Sequence, residues 1–214
     1  YSLINSNILN YSVLESLNVS RETFYDFEEF RSLLIKKNDE INLIGENTIN
    51  NLRERHIIDS AQIIDFIELN EISCTDIGSG SGLPGIILAI IAKHKNLPMN
   101  FDLYEKSFRK AEFLNHVIQK LGLNAKVFQK DIFQESNLYT DLIVARAFKP
   151  LPIILELANS KFKKFKSIIL FIGRKNKNLI KESLDKWNFE YKEKNSITSE
   201  ESLIIKIWNL KKNA

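Results

Sequence analysis

The stretch Asp76-Ile77-Gly78-Ser79-Gly80-Ser81-Gly82-Leu83-Pro84-Gly85 decides the fold of this chain of 214 residues. A short apolar run that contains Cys74 precedes it, and a dense apolar run over residues 86–92 follows it. This order predicts a strand, a glycine-rich turn and a helix, with Pro84 in the first helical turn, where its missing N–H costs nothing. Glycines permit positive φ and let a ligand approach the main chain closely, and the first N–H groups of a helix lack intrahelical partners. The stretch therefore predicts a cradle for a cofactor.

Composition is that of an ordinary globular protein, with 44% hydrophobic and 27% charged residues. The length predicts one domain with a small extension. A net charge of +3 permits an anionic partner without requiring one. Cys74 is the only cysteine, so we expect no disulfide and no metal site, and the cytosol is the expected compartment. The longest apolar run, residues 83–92, is about half a membrane span, so no membrane partner is expected.

The N-terminal part predicts two helices. The first follows a candidate N-cap, Ser20, and its apolar residues recur at helical spacing: Phe24, Phe27, Phe30 and Leu34. The second is expected to start near Thr48, and its stripe consists of Ile49, Leu52, His56, Asp59 and Ile63. We therefore expect a helical extension over residues 1–69 that packs on a core over residues 70–214.

The rest of the chain alternates between strands and helices. After the strand before the glycine turn, strands are predicted at 99–104, 125–129, 142–145 and 167–172, with two closing strands at 189–191 and 203–208. Helices are predicted after the turn, at 106–121, from Pro150 and at 176–187. Such alternation predicts an α/β fold, with a mostly parallel seven-stranded sheet and helices on both faces.

Polar or special residues follow four of the predicted strands, at the edge where open parallel sheets bind ligands. They are the glycine turn, Glu105, Asp131 and Arg146. The spacing Gly80-x-Gly82-x-x-Gly85 matches the dinucleotide fingerprint, with Glu105 placed to hold a ribose, so an NAD-dependent oxidoreductase remains open. Asp76 in front of the glycines instead favours a ligand that carries an ammonium group and no phosphate, such as S-adenosylmethionine.

Two polar residues, His56 and Asp59, lie on the otherwise apolar stripe of the second helix. A buried carboxylate without a partner is costly. One interpretation is a structural pair in which Asp59 bonds His56 or Arg55. The other is that this helix face borders the cofactor pocket.

Several stretches resemble one protein family in their order along the chain. They are Asn42-Leu43-Ile44, Arg55-His56-Ile57-Ile58-Asp59-Ser60, the glycine turn with its Leu-Pro-Gly ending, Glu105-Lys106 with Lys110 and Phe113-Leu114, and Ala145-Arg146-Ala147. The chain resembles the ribosomal small-subunit methyltransferase G family, also called glucose-inhibited division protein B, over most of residues 20–210. The resemblance implies a class I S-adenosylmethionine-dependent methyltransferase (Rossmann-like) fold with a helical N-terminal extension. It also implies methyl transfer from S-adenosylmethionine to N7 of one guanine of 16S rRNA, guanine 527 in the 530 loop.

The resemblance also assigns cofactor-binding residues by matching position. Gly78 and Leu83 are expected to contact the cofactor at the turn, Glu105 its ribose, Asp131 and Ile132 its adenine end, and Arg146 the cofactor as well. Asp76, Gly80 and Gly82 complete the expected set. The chain departs from the family in two places: the Asp131-Ile132 pair is often Ala or Val with Glu, and many members have Lys-Gly where residues 172–175 read Ile-Gly-Arg-Lys.

Guanine N7 has an in-plane lone pair and no proton to lose, so its methylation requires no general base. Catalysis is then mainly positioning of N7 in line with the methyl group, in a site that excludes water. The product guanine is cationic, and Asp59 is the candidate catalytic residue that would stabilise it.

A partner RNA requires cationic contacts. Arg174, Lys175 and Lys177 follow the fifth predicted strand on the ligand side of the sheet, and we expect them to bind RNA phosphates. An earlier lysine cluster over residues 161–166 is either a second RNA contact or a solvated face. The expected partner is 16S rRNA in the small ribosomal subunit, and the protein is expected to be a monomer. A catalytically silent RNA-binding domain remains the third alternative.

Overall fold

A seven-stranded sheet forms the centre of the protein, in a computed structural model that describes residues 19–45, 49, 51–68 and 70–213, with the main chain alone at 54 and 55. Its strands are β1 (Ser73–Ile77), β2 (Asn100–Tyr104), β3 (Ala125–Phe128), β5 (Leu142–Ala145), β7 (Ser167–Gly173), β8 (Trp187–Asn195) and β9 (Ser202–Lys212). Two short strands, β4 (Leu138–Tyr139) and β6 (Phe162–Lys164), pair separately.

The strand order is β3-β2-β1-β5-β7-β9-β8. Strands β3, β2, β1, β5 and β7 are parallel, and β9 is antiparallel to both β7 and β8. The predicted seven-stranded, mostly parallel sheet is confirmed. The chain leaves β1 towards β2 on one side and β5 lies on the other, so a ligand-binding crevice is expected beyond the carboxyl end of β1.

In the part of the chain that the structure describes, five helices cover the two faces of the sheet: α1 (Arg21–Asn38), α2 (Gly85–His94), α3 (Phe108–Leu121), α4 (Leu151–Lys161) and α5 (Asn178–Leu184). The apolar residues of α1, α2 and α3 share one core, and those of α4 and α5 share a second core on the other face. Helices on both faces are therefore confirmed. Within the described residues, no helix is both long enough and apolar enough to cross a membrane.

Helix α1 packs directly on the sheet-covering helices. Ser20 is its N-cap, as predicted, and the Ser20 hydroxyl accepts a hydrogen bond from the Thr23 N–H at 3.3 Å. Phe27, Phe30 and Leu34 are completely buried in the core that α2 and α3 share. The N-terminal extension thus belongs to the same core as the sheet, and a division of the chain at residue 70 stays a prediction.

The second N-terminal helical segment is irregular. It runs as a π-helical turn over Arg53–Ile58, an α-helical turn over Asp59–Ala61 and a 3₁₀ turn over Gln62–Phe66, and we call it segment 53–66. Its predicted start, Thr48, lies outside the described residues. Arg53 donates to Glu28 on α1 at 2.6 Å, which ties the segment to that helix. Widened π turns occur often at functional sites, and this one carries His56.

Several predicted boundaries differ from the structure. Helix α2 begins at Gly85, and Pro84 is the residue before it. Trp187, predicted to end a helix, is the buried first residue of β8, because its ring packs in the second core. Strands β8 and β9 extend well past the predicted ranges, since main-chain pairing continues through exposed polar residues that carry no apolar alternation.

Replacing Phe30 with alanine tests whether extension and core unfold together. The ring is fully buried between α1 and the sheet-covering helices, so Phe30→Ala is expected to lower the free energy of unfolding by about 3–5 kcal/mol. Urea denaturation followed by circular dichroism should show a single transition at lower urea. The matched control is Tyr25→Ala on the exposed face of the same helix, expected to change stability by less than about 0.5 kcal/mol. An early transition of the helix alone, with the main transition unmoved, would show two independent units.

Candidate active site

The glycine turn between β1 and α2 has a backbone that only glycine adopts easily. Gly78, Gly80 and Gly82 have φ values of +72°, +57° and +93°. A Cβ on Gly78 would lie 2.1 Å from the Phe148 ring, and one on Gly82 would lie 2.6 Å from Ile86. The absence of a side chain at Gly78 therefore makes room for the Phe148 ring. The absence of one at Gly82 lets the turn pack closely on α2.

Asp76 holds this turn from inside the protein. Its Oδ2 accepts a hydrogen bond from the Gly85 N–H at 2.9 Å, and its side chain is almost completely buried. A Cβ on Gly85 would lie 2.5 Å from that oxygen, so the bond requires glycine there. Burial raises the pKa of Asp76 to about 7, against the lowering effect of the hydrogen bond from the Gly85 N–H. Asp76 thus joins the end of β1 to the start of α2, and its expected contact with the cofactor stays a prediction.

Glu105 braces the same turn from the neighbouring strand. Its Oε2 accepts from the Gly80 N–H at 2.9 Å, and its Oε1 accepts from the Ser107 N–H at 2.7 Å. Each carboxylate oxygen has a second lone pair. Glu105 can therefore hold the turn and still accept hydrogen bonds from a ligand.

A cavity of about 660 Å³ opens at the carboxyl ends of β1, β2, β3 and β5. Seven of the predicted cofactor-binding residues line it: Gly78, Gly80, Leu83, Glu105, Asp131, Ile132 and Arg146. Asp76 and Gly82 are not among the described residues that line it. Segment 53–66 contributes His56 to the wall, and the loop after α1 contributes Leu43 and Ile44. The volume is typical of a site for a small molecule or cofactor.

Asp131 and Ile132 lie side by side at the end of β3. The Asp131 carboxylate accepts from the Phe133 N–H at 3.1 Å, which starts the 3₁₀ turn Ile132–Gln134. Ile132 is buried and supplies an apolar wall next to this carboxylate. The pair offers an apolar surface and a hydrogen-bond acceptor at one end of the cavity.

Arg146, at the end of β5, joins the cavity to segment 53–66. Its guanidinium donates to His56 Nδ1 at 2.8 Å and pairs with Asp59 Oδ2 at 2.9 Å, and it lies 5.4 Å from the centre of the Phe171 ring. Burial lowers the pKa of Arg146, an effect that the adjacent Asp59 charge opposes. An arginine keeps its charge at neutral pH even so.

Asp59 accepts hydrogen bonds from four side chains. It is not among the described residues that line the cavity. Besides Arg146, it accepts three bonds on Oδ1, from Gln62 Nε2 at 2.8 Å, Ser196 Oγ at 2.7 Å and Thr198 Oγ1 at 2.9 Å. Arg146 stands between Asp59 and His56. The Arg55 side chain lies outside the described residues, so its expected pair with Asp59 stays a prediction. Nothing in the sequence links Ser196 and Thr198 to Asp59, since well over a hundred residues separate them.

Two groups of cavity residues were missed by sequence reasoning. One is an aromatic pair, Phe133 and Phe148. The other consists of four lysines at the rim: Lys106, Lys110, Lys130 and Lys149. Five of these six residues come shortly after a strand, and this position is the signal that could have found them, whereas Lys110 lies in the first turn of α3.

The cations predicted to bind RNA lie outside the cavity lining. Arg174 donates to the Glu200 carbonyl at 2.6 Å, and Lys177 pairs with Glu193 at 2.6 Å. Lys175 is exposed. A separate groove is lined by Lys163, Lys164 and Lys166 of the earlier lysine cluster. That groove also contains Ser167, the first residue of β7, and so lies at the opposite edge of the sheet.

Comparison with known proteins identifies the family. Residues 24–205 match the GidB family, described as rRNA small subunit methyltransferase G. The ribosomal RNA small subunit methyltransferase G of Pelagibacter ubique (strain HTCC1062) is 46% identical over 205 residues, which cover 95% of this chain and 96% of that protein. The protein of the same name from Rickettsia africae (strain ESF-5) is 35% identical, over 92% of this chain and 98% of its own.

Solved structures of low identity share the fold. A SAM-dependent methyltransferase from Aquifex aeolicus has a TM-score of 0.55 at 14% identity, covering 83% of this chain and 97% of that chain. M. capricolum TrmK in complex with S-adenosyl-homocysteine has a TM-score of 0.53 at 16% identity, covering 70% and 66%.

The sheet, with a cavity at the carboxyl ends of its strands, has the class I methyltransferase fold. S-adenosylmethionine is its cofactor because the chain matches a methyltransferase family. The chain belongs to the rRNA small subunit methyltransferase G family, and it is an rRNA methyltransferase. Family membership decides against the NAD-dependent oxidoreductase and the silent RNA-binding domain.

The donor set of the cavity fits S-adenosylmethionine. Glu105 offers acceptors for ribose hydroxyls, and Leu83 and Ile132 offer apolar surface for an adenine ring.

The raised pKa of Asp76 predicts a pH dependence of stability. Between its usual value of 3.8 and the folded value of about 7, the folded state keeps a proton that the unfolded state has lost, so this group's contribution to stability falls as pH rises through that window. Asp76→Asn keeps an acceptor for Gly85 and cannot ionise. From pH 5 to pH 8 the wild type should lose about 2 kcal/mol relative to Asp76→Asn in urea denaturation. An equal stability difference at both pH values would contradict the ionisation of a buried Asp76.

Proposed function

We propose that this enzyme methylates N7 of one guanine in 16S rRNA, guanine 527 of the 530 loop, within the small ribosomal subunit. The name of the Pelagibacter ubique relative supports a small-subunit substrate. The atom and the nucleotide follow from the family resemblance of the glycine turn, the Arg-His-x-x-Asp-Ser segment and the Ala-Arg-Ala stretch.

One observation carries the choice of N7: Glu105, Asp131 and His56, the carboxylates and the imidazole of the described cavity lining, each already accept a hydrogen bond from the protein. Glu105 and Asp131 accept bonds from main-chain N–H groups. His56 Nδ1 accepts from Arg146, and because a guanidinium can only donate, a neutral His56 carries its proton on Nε2. This arrangement suits a nucleophile that loses no proton on attack, as guanine N7 does, better than an amine or a hydroxyl.

The residues of the cavity would hold S-adenosylmethionine along its length. Gly78, Gly80 and Leu83 would contact its amino-acid end at the turn, Glu105 would accept its ribose hydroxyls, and Asp131 with Ile132 would bind its adenine end. S-adenosylmethionine supplies an electrophilic methyl group. The protein's contribution is then to hold guanine N7 in line with that group and to exclude water.

Asp59 would act through Arg146 rather than on the guanine. Both of its oxygens are engaged, one by Arg146 and one by Gln62, Ser196 and Thr198. This supports a positioning role: Asp59 would orient Arg146 towards the cofactor, in place of the catalytic role expected from the sequence. An Asp59→Asn variant that folds and keeps wild-type affinity for S-adenosylmethionine would contradict this role.

The rim lysines are the cations best placed to receive an rRNA backbone beside the cavity. Lys106 and Lys149 are exposed, and none of the ion pairs among the described residues involves either. Arg174, Lys175 and Lys177 stay candidates for a second set of phosphate contacts after β7, at the cost of the bonds that Arg174 and Lys177 make with Glu200 and Glu193.

Action as a monomer, expected from the sequence, is part of this proposal. Its substrate supports a location in the cytoplasm, where ribosomal subunits are found.

Methyl transfer to small subunits that lack the modification tests the proposal. With labelled S-adenosylmethionine, the enzyme should methylate a single guanine, and strand cleavage specific for N7-methylguanine should map it to the 530 loop. A methyl group on an exocyclic amine or a ribose would contradict the assignment to N7. Parallel assays with naked 16S rRNA show whether the assembled particle is required.

Removing two rim lysines tests the RNA contacts. The Lys106→Ala, Lys149→Ala double variant should bind the RNA substrate more weakly at low salt. The slope of log affinity against log salt concentration should fall by about 1.5, because two phosphate contacts are lost. The control is Lys163→Ala, Lys164→Ala, which removes the same charge at the opposite edge of the sheet. Equal effects of the two double variants would show that net charge, and not the rim, attracts the RNA.

A further inference from the structure

Two phenylalanines stand together on the wall of the cavity. Phe133 follows Asp131 and Ile132 after β3, and Phe148 follows Arg146 after β5. Their rings are 5.9 Å apart at an angle of 25°, an offset-stacked arrangement. Strands β3 and β5 lie on opposite sides of β1 and β2, so the pair spans the cavity from two separate segments of the chain.

Phe148 is partly buried against the second core, whereas Phe133 is more open to solvent. The Phe148 ring packs against Gly78, and it can do so only because Gly78 has no Cβ. Phe133 is 36% exposed, and each ring is followed along the chain by a polar residue, Gln134 or Lys149. Large apolar rings left open beside a ligand cavity leave surface that a ligand could cover.

The chemistry of N7 methylation restricts how the base is presented. The N7 lone pair lies in the plane of the guanine, so the base must approach the methyl group with its edge. Its two faces then remain available, and contact with them is the way to hold it without covering N7. Aromatic side chains stack on extruded bases in this manner, and each stacked base contributes roughly 1–3 kcal/mol to binding.

We propose that Phe133 and Phe148 form the platform on which the target guanine stacks, with Phe148, the ring packed on the glycine turn, as the main contact. This inference rests on the proposed N7 methylation. Lys130 and Lys149 are neighbours of the two rings along the chain and line the same cavity, where they would bind the phosphates that flank an extruded nucleotide.

The platform has a consequence for the product. N7-methylguanine carries a positive charge, and a cation over an aromatic face is stabilised by the ring quadrupole. The enzyme should therefore bind 7-methylguanosine monophosphate more tightly than guanosine monophosphate, although the methyl group occupies the reacting position.

Substitutions that remove the ring and keep apolar volume test the platform. Phe148→Leu and Phe133→Leu should each lower kcat/KM for the small subunit, by about 10- to 100-fold at Phe148, and Phe148→Tyr should retain activity. The dissociation constant for S-adenosylmethionine, measured by calorimetry, should stay within about twofold. Inhibition by 7-methylguanosine monophosphate should exceed that by guanosine monophosphate in the wild type and lose this preference in Phe148→Leu. The control, Tyr139→Leu, changes an exposed aromatic residue on β4 outside the cavity lining and should behave as wild type.

The outcomes separate this inference from the function on which it rests. Wild-type kinetics in both leucine variants, with N7 methylation intact in the parent enzyme, would overturn the platform alone. A loss of S-adenosylmethionine affinity that accounts for the loss of kcat/KM would also overturn it, since the ring would then be a wall of the cofactor site. A parent enzyme that methylates an atom other than N7 would instead overturn the proposed function. Phe133 is partly exposed, so its leucine variant should fold normally even if Phe148→Leu is unstable.

Discussion

The hydrogen bond from the Gly85 N–H to the buried carboxyl group of Asp76 fixes the glycine turn on which the active site is built. It joins the second-last residue of β1 to the first residue of α2, across the whole glycine turn. Burying a carboxyl group is costly, and the elevated pKa of Asp76 reflects that cost. The hydrogen bond and the absence of a side chain at Gly85 make the arrangement possible. Glu105 fastens the middle of the same turn from the adjacent strand, so the floor of the cavity is set by two carboxylates that the protein itself engages.

Around that floor, the walls come from parts of the chain that are distant in sequence. Asp59, in the N-terminal segment, holds Arg146 at the end of β5 and is itself held by Ser196 and Thr198 before β9. Because a charged pair this deeply buried is stable only when its hydrogen bonds are satisfied, these segments depend on one another. Segment 53–66 therefore forms part of the cavity wall. His56 lines the cavity, and Asp59 lies behind Arg146, away from the cavity surface.

Much of the fold was predictable because its signals are local. Apolar runs that alternate with amphipathic helices indicate a parallel sheet, and parallel strands bring their carboxyl ends to one edge. Glu105, Asp131 and Arg146 could thus be placed at a common cavity from their positions after strands. Boundaries were less accurate where pairing runs through polar residues, as in β8 and β9, or where one apolar residue such as Trp187 suits both a helix and a strand.

The sequence by itself determined the α/β class, the glycine turn and the set of strand ends that meet at the cavity, because these follow from periodicity and from the conformational freedom of glycine. Only the tertiary structure decided what each polar group faces. It turned Asp76 inward to Gly85, set Asp59 against Arg146 instead of the cavity, and brought Phe133 and Phe148 together over the ligand site. The direction of a side chain depends on which distant segments pack beside it, and no local pattern records that packing.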